Sequence, residues 1–82
     1  MKGAYPVIID KKTFVVYVPD FDIRTQGTDI ENCIEMAREA IGLSGITLED
    51  IGKAIPKPSY DLPESSADSV ATFVDVDFEY YR

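Results

Sequence analysis

Two runs of apolar and β-branched residues bounded by polar ones open the chain and predict strands, with a short third to follow. The first runs from Ala4 to Asp10 and the second from Thr13 to Val18, joined by Asp10-Lys11-Lys12 as a polar hairpin connection. In the second run Phe14, Val16 and Val18 share one face, and Val15 and Tyr17 share the other. Pro19 has no amide hydrogen to contribute to a ladder, so pairing should break there. A short third strand is then expected from Phe21 to Thr25, before Gln26-Gly27.

The period then changes. Thr28 followed by Glu31 has the form of a capping box, in which each side chain satisfies an amide that the first helical turn leaves unpaired. Ile30, Cys33, Ile34, Ala37, Ala40 and Ile41 recur at helical spacing, with Glu31, Glu35, Arg38 and Glu39 toward water. Gly42 or Gly45 is the expected stop. Thr47 to Ala54 reads as a shorter second helix capped by Thr47, with Leu48, Ile51 and Ile55 inward and Pro56 preventing continuation.

Between Pro56 and Ser69, prolines, serines and charged residues follow one another without apolar rhythm, which predicts a mobile loop. Strict alternation returns from Val70 to Phe78. Val70, Thr72, Val74, Val76 and Phe78 form the core face, opposite Ala71, Phe73, Asp75 and Asp77. The order is β-β-β-α-(α)-β, an α+β fold with one main helix on one face of a small mixed sheet. A right-handed crossover should set the last strand beside the first and parallel to it.

The 82 residues leave room for one domain and a modest core, which a homo-oligomer or a partner would supplement. Eight Lys and Arg against fifteen Asp and Glu give a formal charge of −7. Phosphate backbones are repelled by such a surface, whereas a basic protein is drawn to it. One cysteine forms no internal disulfide, and no apolar run has the length of a signal sequence or a spanning helix. A cytoplasmic protein that neither enters membranes nor binds nucleic acid directly is the expectation.

The chemistry of single residues narrows the field further. There is no histidine, the commonest general base, metal ligand and triad member. Cys33 falls on the apolar stripe and is expected to be a packed thiol rather than a nucleophile. Asp10, Asp20, Asp22, Asp75 and Asp77 lie on or beside strands, as the acids of a divalent-metal nuclease would, with Asp10 and Asp75 the pair to test. Such a centre needs three or four converging oxygens, and two acids on a last strand are more simply a solubilising edge or the rim of a site for a basic partner. No glycine pattern cradles a phosphate. Tyr5, Tyr17 and Phe73 have the chemistry to stack bases, but the charges around them are mainly acidic and argue for packing or a protein interface. The residue types therefore point to no catalytic group, no cofactor and no metal site.

Several short motifs in order bring in a family. Ala4-Tyr5-Pro6-Val7-Ile8, Tyr17-Val18-Pro19-Asp20-Phe21, Thr25-Gln26-Gly27, the acidic helix Glu31 to Ala40 and Val74-Asp75-Val76-Asp77-Phe78 together resemble the HicB family of antitoxins over nearly the whole chain. The resemblance implies a partial ribonuclease-H-like fold without a working nuclease centre, bound to a small basic HicA-type toxin that cleaves messenger RNA. Many HicB proteins continue past the closing strand into an operator-binding segment, whereas this sequence stops at Glu79-Tyr80-Tyr81-Arg82, so residues 1–82 are expected to be one domain without operator binding, either a truncated form of a longer antitoxin or a single-domain member. Asp20, Asp22, Phe73, Asp75 and Asp77 are the candidate partner contacts. A metal-dependent nuclease and a bare oligomerisation or regulatory domain are the alternatives.

Overall fold

The computed structural model describes residues Met1–Arg82. Strands β1 (Lys2–Asp10), β2 (Val15–Val18) and β3 (Ile23–Gln26) form a meander. Helix α1 (Ile30–Asp50) and strand β4 (Ser69–Asp77) follow, and a 3-10 turn at Phe78–Tyr81 closes the chain. The sheet order is β3-β2-β1-β4. The α+β class and the element order are those the alternation predicts.

The direction of β4 is not. It lies beside β1 as expected but runs antiparallel, with Asp10 opposite Ser69 and Lys2 opposite Asp77, so the sheet is antiparallel throughout rather than mixed. A helix alone would return the chain for a parallel strand. Here residues 51–68 add a second traverse, from the Tyr5 end, where the Tyr5 hydroxyl donates to the Pro56 carbonyl (2.7 Å), to the Asp10 end, where the Lys11 amide donates to the Asp68 carbonyl (2.7 Å). This segment does not hang free. Ile55 is buried in the core, and both Asp20 carboxylate oxygens accept from Ser59.

One face of the sheet meets α1. Tyr5, Val7 and Ile9 of β1, Val16 and Val18 of β2, and Val74 and Val76 of β4 pack with Cys33, Ala37 and Ile41 of the helix, and Phe78 closes the end. Full burial of an aliphatic side chain of this size is worth roughly 1.5–3 kcal/mol relative to exposure. Pro6 sits in the central strand without breaking it, because the β1–β2 register places it opposite Pro19, past the end of β2, where no partner needs its amide. Phe14 leaves the second strand early: its φ of 59° turns the hairpin, and its side chain still packs on the core.

The helix departs from expectation at both ends and in the middle. Its cap is Asp29, not Thr28: the Asp29 carboxylate accepts from the Asn32 amide (2.7 Å), and Asn32 Oδ1 accepts from the Thr28 amide (2.9 Å). The reciprocal pairing predicted for Thr28 and Glu31 is therefore displaced by one residue. Gly42 and Gly45 do not end the helix. A β-carbon at Gly42 would collide with the Tyr81 ring, and one at Gly45 with the Phe78 ring, so both glycines admit aromatic rings of the closing turn. Of the separate helix expected over Thr47–Ala54, Thr47–Asp50 are the last turn of α1, with Thr47 Oγ1 donating back to the Leu43 carbonyl, and residues 51–54 lie beyond it. The true stop is Gly52 at φ 80°, where the amides of Gly52 and Lys53 bond the carbonyls of Glu49 and Leu48 in a Schellman closure.

Candidate functional site

β4 is an edge strand, and its free edge adjoins the largest concavity of the molecule, a cleft of about 650 Å³. The i, i+4, i+8 row Glu35, Glu39 and Leu43 forms its helical side together with Arg38. Asp75 and Asp77 of β4 form the opposite wall, and Tyr80 and Tyr81 close one end. Alternation along β4 turns Val74 and Val76 toward the helix and Asp75 and Asp77 to the opposite face, and the two aspartates border the cleft because β4 is the edge strand.

The cleft is strongly acidic, with four carboxylates around one guanidinium. Arg38 does not neutralise it evenly. Its Nε donates to the Asp75 carbonyl (2.9 Å) and its terminal nitrogen to the Asp75 carboxylate (2.8 Å). Hydrogen bonding by the Arg38 guanidinium holds the Asp75 carboxyl below its ordinary range. Glu35, Glu39 and Asp77 have no ion-pair partner. Apolar surface lies among these charges: Tyr80 is 82% exposed and Leu43 50% exposed.

The other face of the sheet has no helix on it. Pro6, Ile8, Val15, Tyr17, Ala71 and Phe73 share it by strand parity. Phe73, 42% exposed, is its open aromatic residue. Tyr17 is held in place, its hydroxyl donating to Asp22 (2.8 Å) and the Arg24 guanidinium lying 4.4 Å from its ring centre. Donation to the Asp22 carboxylate raises the Tyr17 pKa. Tyr5 is fully buried, edge-on to Phe21 and Phe78, so it presents no face for stacking.

Of the five candidate contacts, Phe73, Asp75 and Asp77 come together on β4. Asp22 stands apart, in the turn between β2 and β3 and against Tyr17. Asp20, in the same turn, is engaged with Ser59. Glu35, Arg38, Glu39, Leu43 and Tyr80 join the cleft without having been candidates. The spacing of Glu35, Glu39 and Leu43 on one helical face was a usable signal, but which strand that face would border was not written in it.

The nuclease pair does not form. Asp10 is opposite Ser69 and Asp75 is opposite Ala4, six residues apart along β1 or roughly 20 Å. Asp10 instead accepts from the Lys12 (2.7 Å) and Thr13 (3.0 Å) amides of the hairpin, and these bonds lower its pKa. No three carboxylate or thiol side chains converge in a way that could hold a metal ion. Cys33 is buried, its thiol donating to the Phe14 carbonyl (3.2 Å), and burial raises its pKa. No helix is long and apolar enough to cross a membrane.

No protein-family model matches the chain, and no curated protein matches it in sequence. A solved structure does match in fold: a chain of a toxin-antitoxin complex from Streptococcus pneumoniae superposes with a TM-score of 0.82 at 23% identity, over 99% of this chain and 73% of that one. At this identity the likeness establishes a common fold.

Proposed function

We propose that this protein is a HicB-type antitoxin that binds a small basic HicA-type toxin and prevents it from cleaving messenger RNA by occluding its RNA-binding or active surface. The observation that carries the reading is the superposition of nearly the entire chain on a component of a toxin-antitoxin complex. Charge supports the same direction. A protein of net charge −7 with an acidic cleft is suited to a surface evolved to hold RNA, because both would compete for the same cations.

The chain contributes occupancy rather than chemistry in this reading. Asp75 and Asp77, with Glu35 and Glu39 across the cleft, would steer the basic partner, and Phe73, Tyr80 and Leu43 would supply apolar anchoring. Asp22 would lie toward the rim of the sheet's open face, and Asp20 would shape the surface indirectly by holding Ser59. The site of action would be the cytoplasm, where the toxin meets messenger RNA. Co-expression with a small basic HicA-type toxin, sought in the adjoining reading frames, tests the proposal: restored growth and a copurifying complex are the expected outcome, and continued toxicity without a complex at micromolar concentration would refute it.

A further inference from the structure

The β1–β4 ladder has a definite parity. At one end the Phe78 amide donates to the Met1 carbonyl (2.9 Å), and at the other the Lys11 amide donates to the Asp68 carbonyl (2.7 Å). Even-numbered residues of this segment therefore turn their backbone groups toward β1, and Ala71, Phe73, Asp75 and Asp77 turn theirs away from the sheet. Arg38 confirms the direction independently, since it reaches the Asp75 carbonyl from outside the ladder. Natural edges of this length are usually blunted by a bulge, a proline or a covering element, because unpaired amides and carbonyls are a template for another strand. β4 is nine residues long, and neither it nor its ladder with β1 contains a proline or a break on the β4 side. Its cover is Arg38 on the Asp75 carbonyl and the Thr72 hydroxyl on the Phe73 carbonyl (3.3 Å), with the charges of Asp75 and Asp77 beside them.

We infer that the free edge of β4 is a strand-addition site that takes an extended, lysine- or arginine-rich segment of a partner protein as a fifth strand. Pairing would supply backbone hydrogen bonds, and alternate side chains of the added strand would enter the acidic cleft between β4 and α1, among Glu35, Glu39, Asp77 and Tyr80. Carboxylates and an exposed tyrosine ring both attract guanidinium and ammonium groups. A second copy of this chain is disfavoured by the same charges. Two β4 strands paired about a two-fold axis near Val76 would set Asp75 of each opposite Asp77 of the other, and like charges across strands are destabilising. The inference rests on the reading of the chain as the binder of a basic toxin and adds the mode of attachment.

The test uses the 82-residue chain and a capped nine-residue peptide of alternating arginine and valine, with a control peptide in which every valine has the D configuration. Charge and composition are identical, but the control cannot form a regular strand. The L peptide is expected to slow hydrogen exchange at the Phe73 and Asp75 amides and to bind at least about tenfold more tightly than the control, the worth of one or two net hydrogen bonds. Phe73→Pro removes an outward amide that makes no bond within the sheet, and should weaken binding well beyond Phe73→Ala. Equal affinity of the two peptides, or unchanged exchange at Phe73 and Asp75, would overturn the inference; so would protection of those amides by self-association without peptide. If the toxin is bound and inhibited equally by the Phe73→Pro and Phe73→Ala chains, strand addition falls and the antitoxin reading stands. If the toxin is ignored while the L peptide still protects both amides, the antitoxin reading falls and the edge site stands.

Discussion

The ring of Phe78 occupies the space in which a side chain on Gly45 would begin. Two residues 33 positions apart thus set how closely the last turn approaches the helix, and the same holds for Tyr81 and Gly42. Glycine inside a helix is worth about 1 kcal/mol less than alanine by propensity alone, so Gly45→Ala would stabilise an isolated helix. In this protein the variant is expected to lose about 1–3 kcal/mol, because the buried ring must move. Urea denaturation of the variant and of Phe78→Ala/Gly45→Ala checks this: the second substitution should recover the propensity gain that the first conceals.

Asp29 rather than Thr28 caps α1, and the two are separable. Asp29→Ala should lower stability by about 1 kcal/mol through the unpaired Asn32 amide, while Thr28→Ala, which removes no hydrogen bond of the cap, should leave it nearly unchanged. Thermal melts of the two single variants decide the matter. Equal losses would return the cap to Thr28.

The segment 53–68 is held to the sheet by Tyr5 and Asp20. Tyr5→Phe is expected to cost about 1 kcal/mol by leaving the Pro56 carbonyl without its donor. Asp20→Ala should have a smaller effect on global stability but increase proteolytic cleavage near Ser59, whose amide and hydroxyl it frees. Limited proteolysis with mass spectrometry reads both.

Stability should fall at both ends of the pH scale, for opposite reasons. The Asp75 carboxyl is lowered by Arg38 and that of Asp10 by the hairpin amides. A lowered carboxylate stabilises the fold above its unfolded pKa, near 3.8, and loses that contribution as pH falls through the folded value. Cys33 and Tyr5 are raised by burial, from 9.0 and 10.0. Their contribution is complete below those values and is lost as pH rises through the folded ones. Equilibrium unfolding across pH should therefore give a plateau from about 5 to 8. Arg38→Gln should flatten the acid limb and leave the alkaline limb in place.

The strands and the core face were legible because alternation is a local signal: Val74, Val76 and Phe78 against Asp75 and Asp77 can be interpreted in only one way. Gly42 and Gly45 were not, since a glycine has a local meaning, termination, and a nonlocal one, close approach, and only the fold brings Phe78 and Tyr81 to them. The antiparallel course of β4 was hidden for a related reason. Residues 53–68 have no period, yet Ile55, Pro56 and Ser59 fix their path through contacts with Tyr5, Asp20 and the core. Most of the cleft shared this fate: the exposed face of Asp75 and Asp77 follows from strand parity, but Glu35, Arg38, Glu39, Leu43 and Tyr80 join them only because α1 runs beside β4.

Electrostatic steering has its own signature. Replacing Asp75 and Asp77 together by lysine should slow association with a basic toxin and reduce the salt dependence of the association rate, with a smaller effect on folding stability. Stopped-flow association at two ionic strengths measures this. An unchanged rate would remove both residues from the approach surface.

Titration of an RNA-cleaving toxin with this chain addresses the central claim most directly. A purified HicA-type toxin, incubated with a labelled messenger RNA fragment, should lose activity stoichiometrically as the chain is added, and the chain alone should leave the RNA intact. Full toxin activity at saturating chain, or cleavage by the chain itself, would contradict the account.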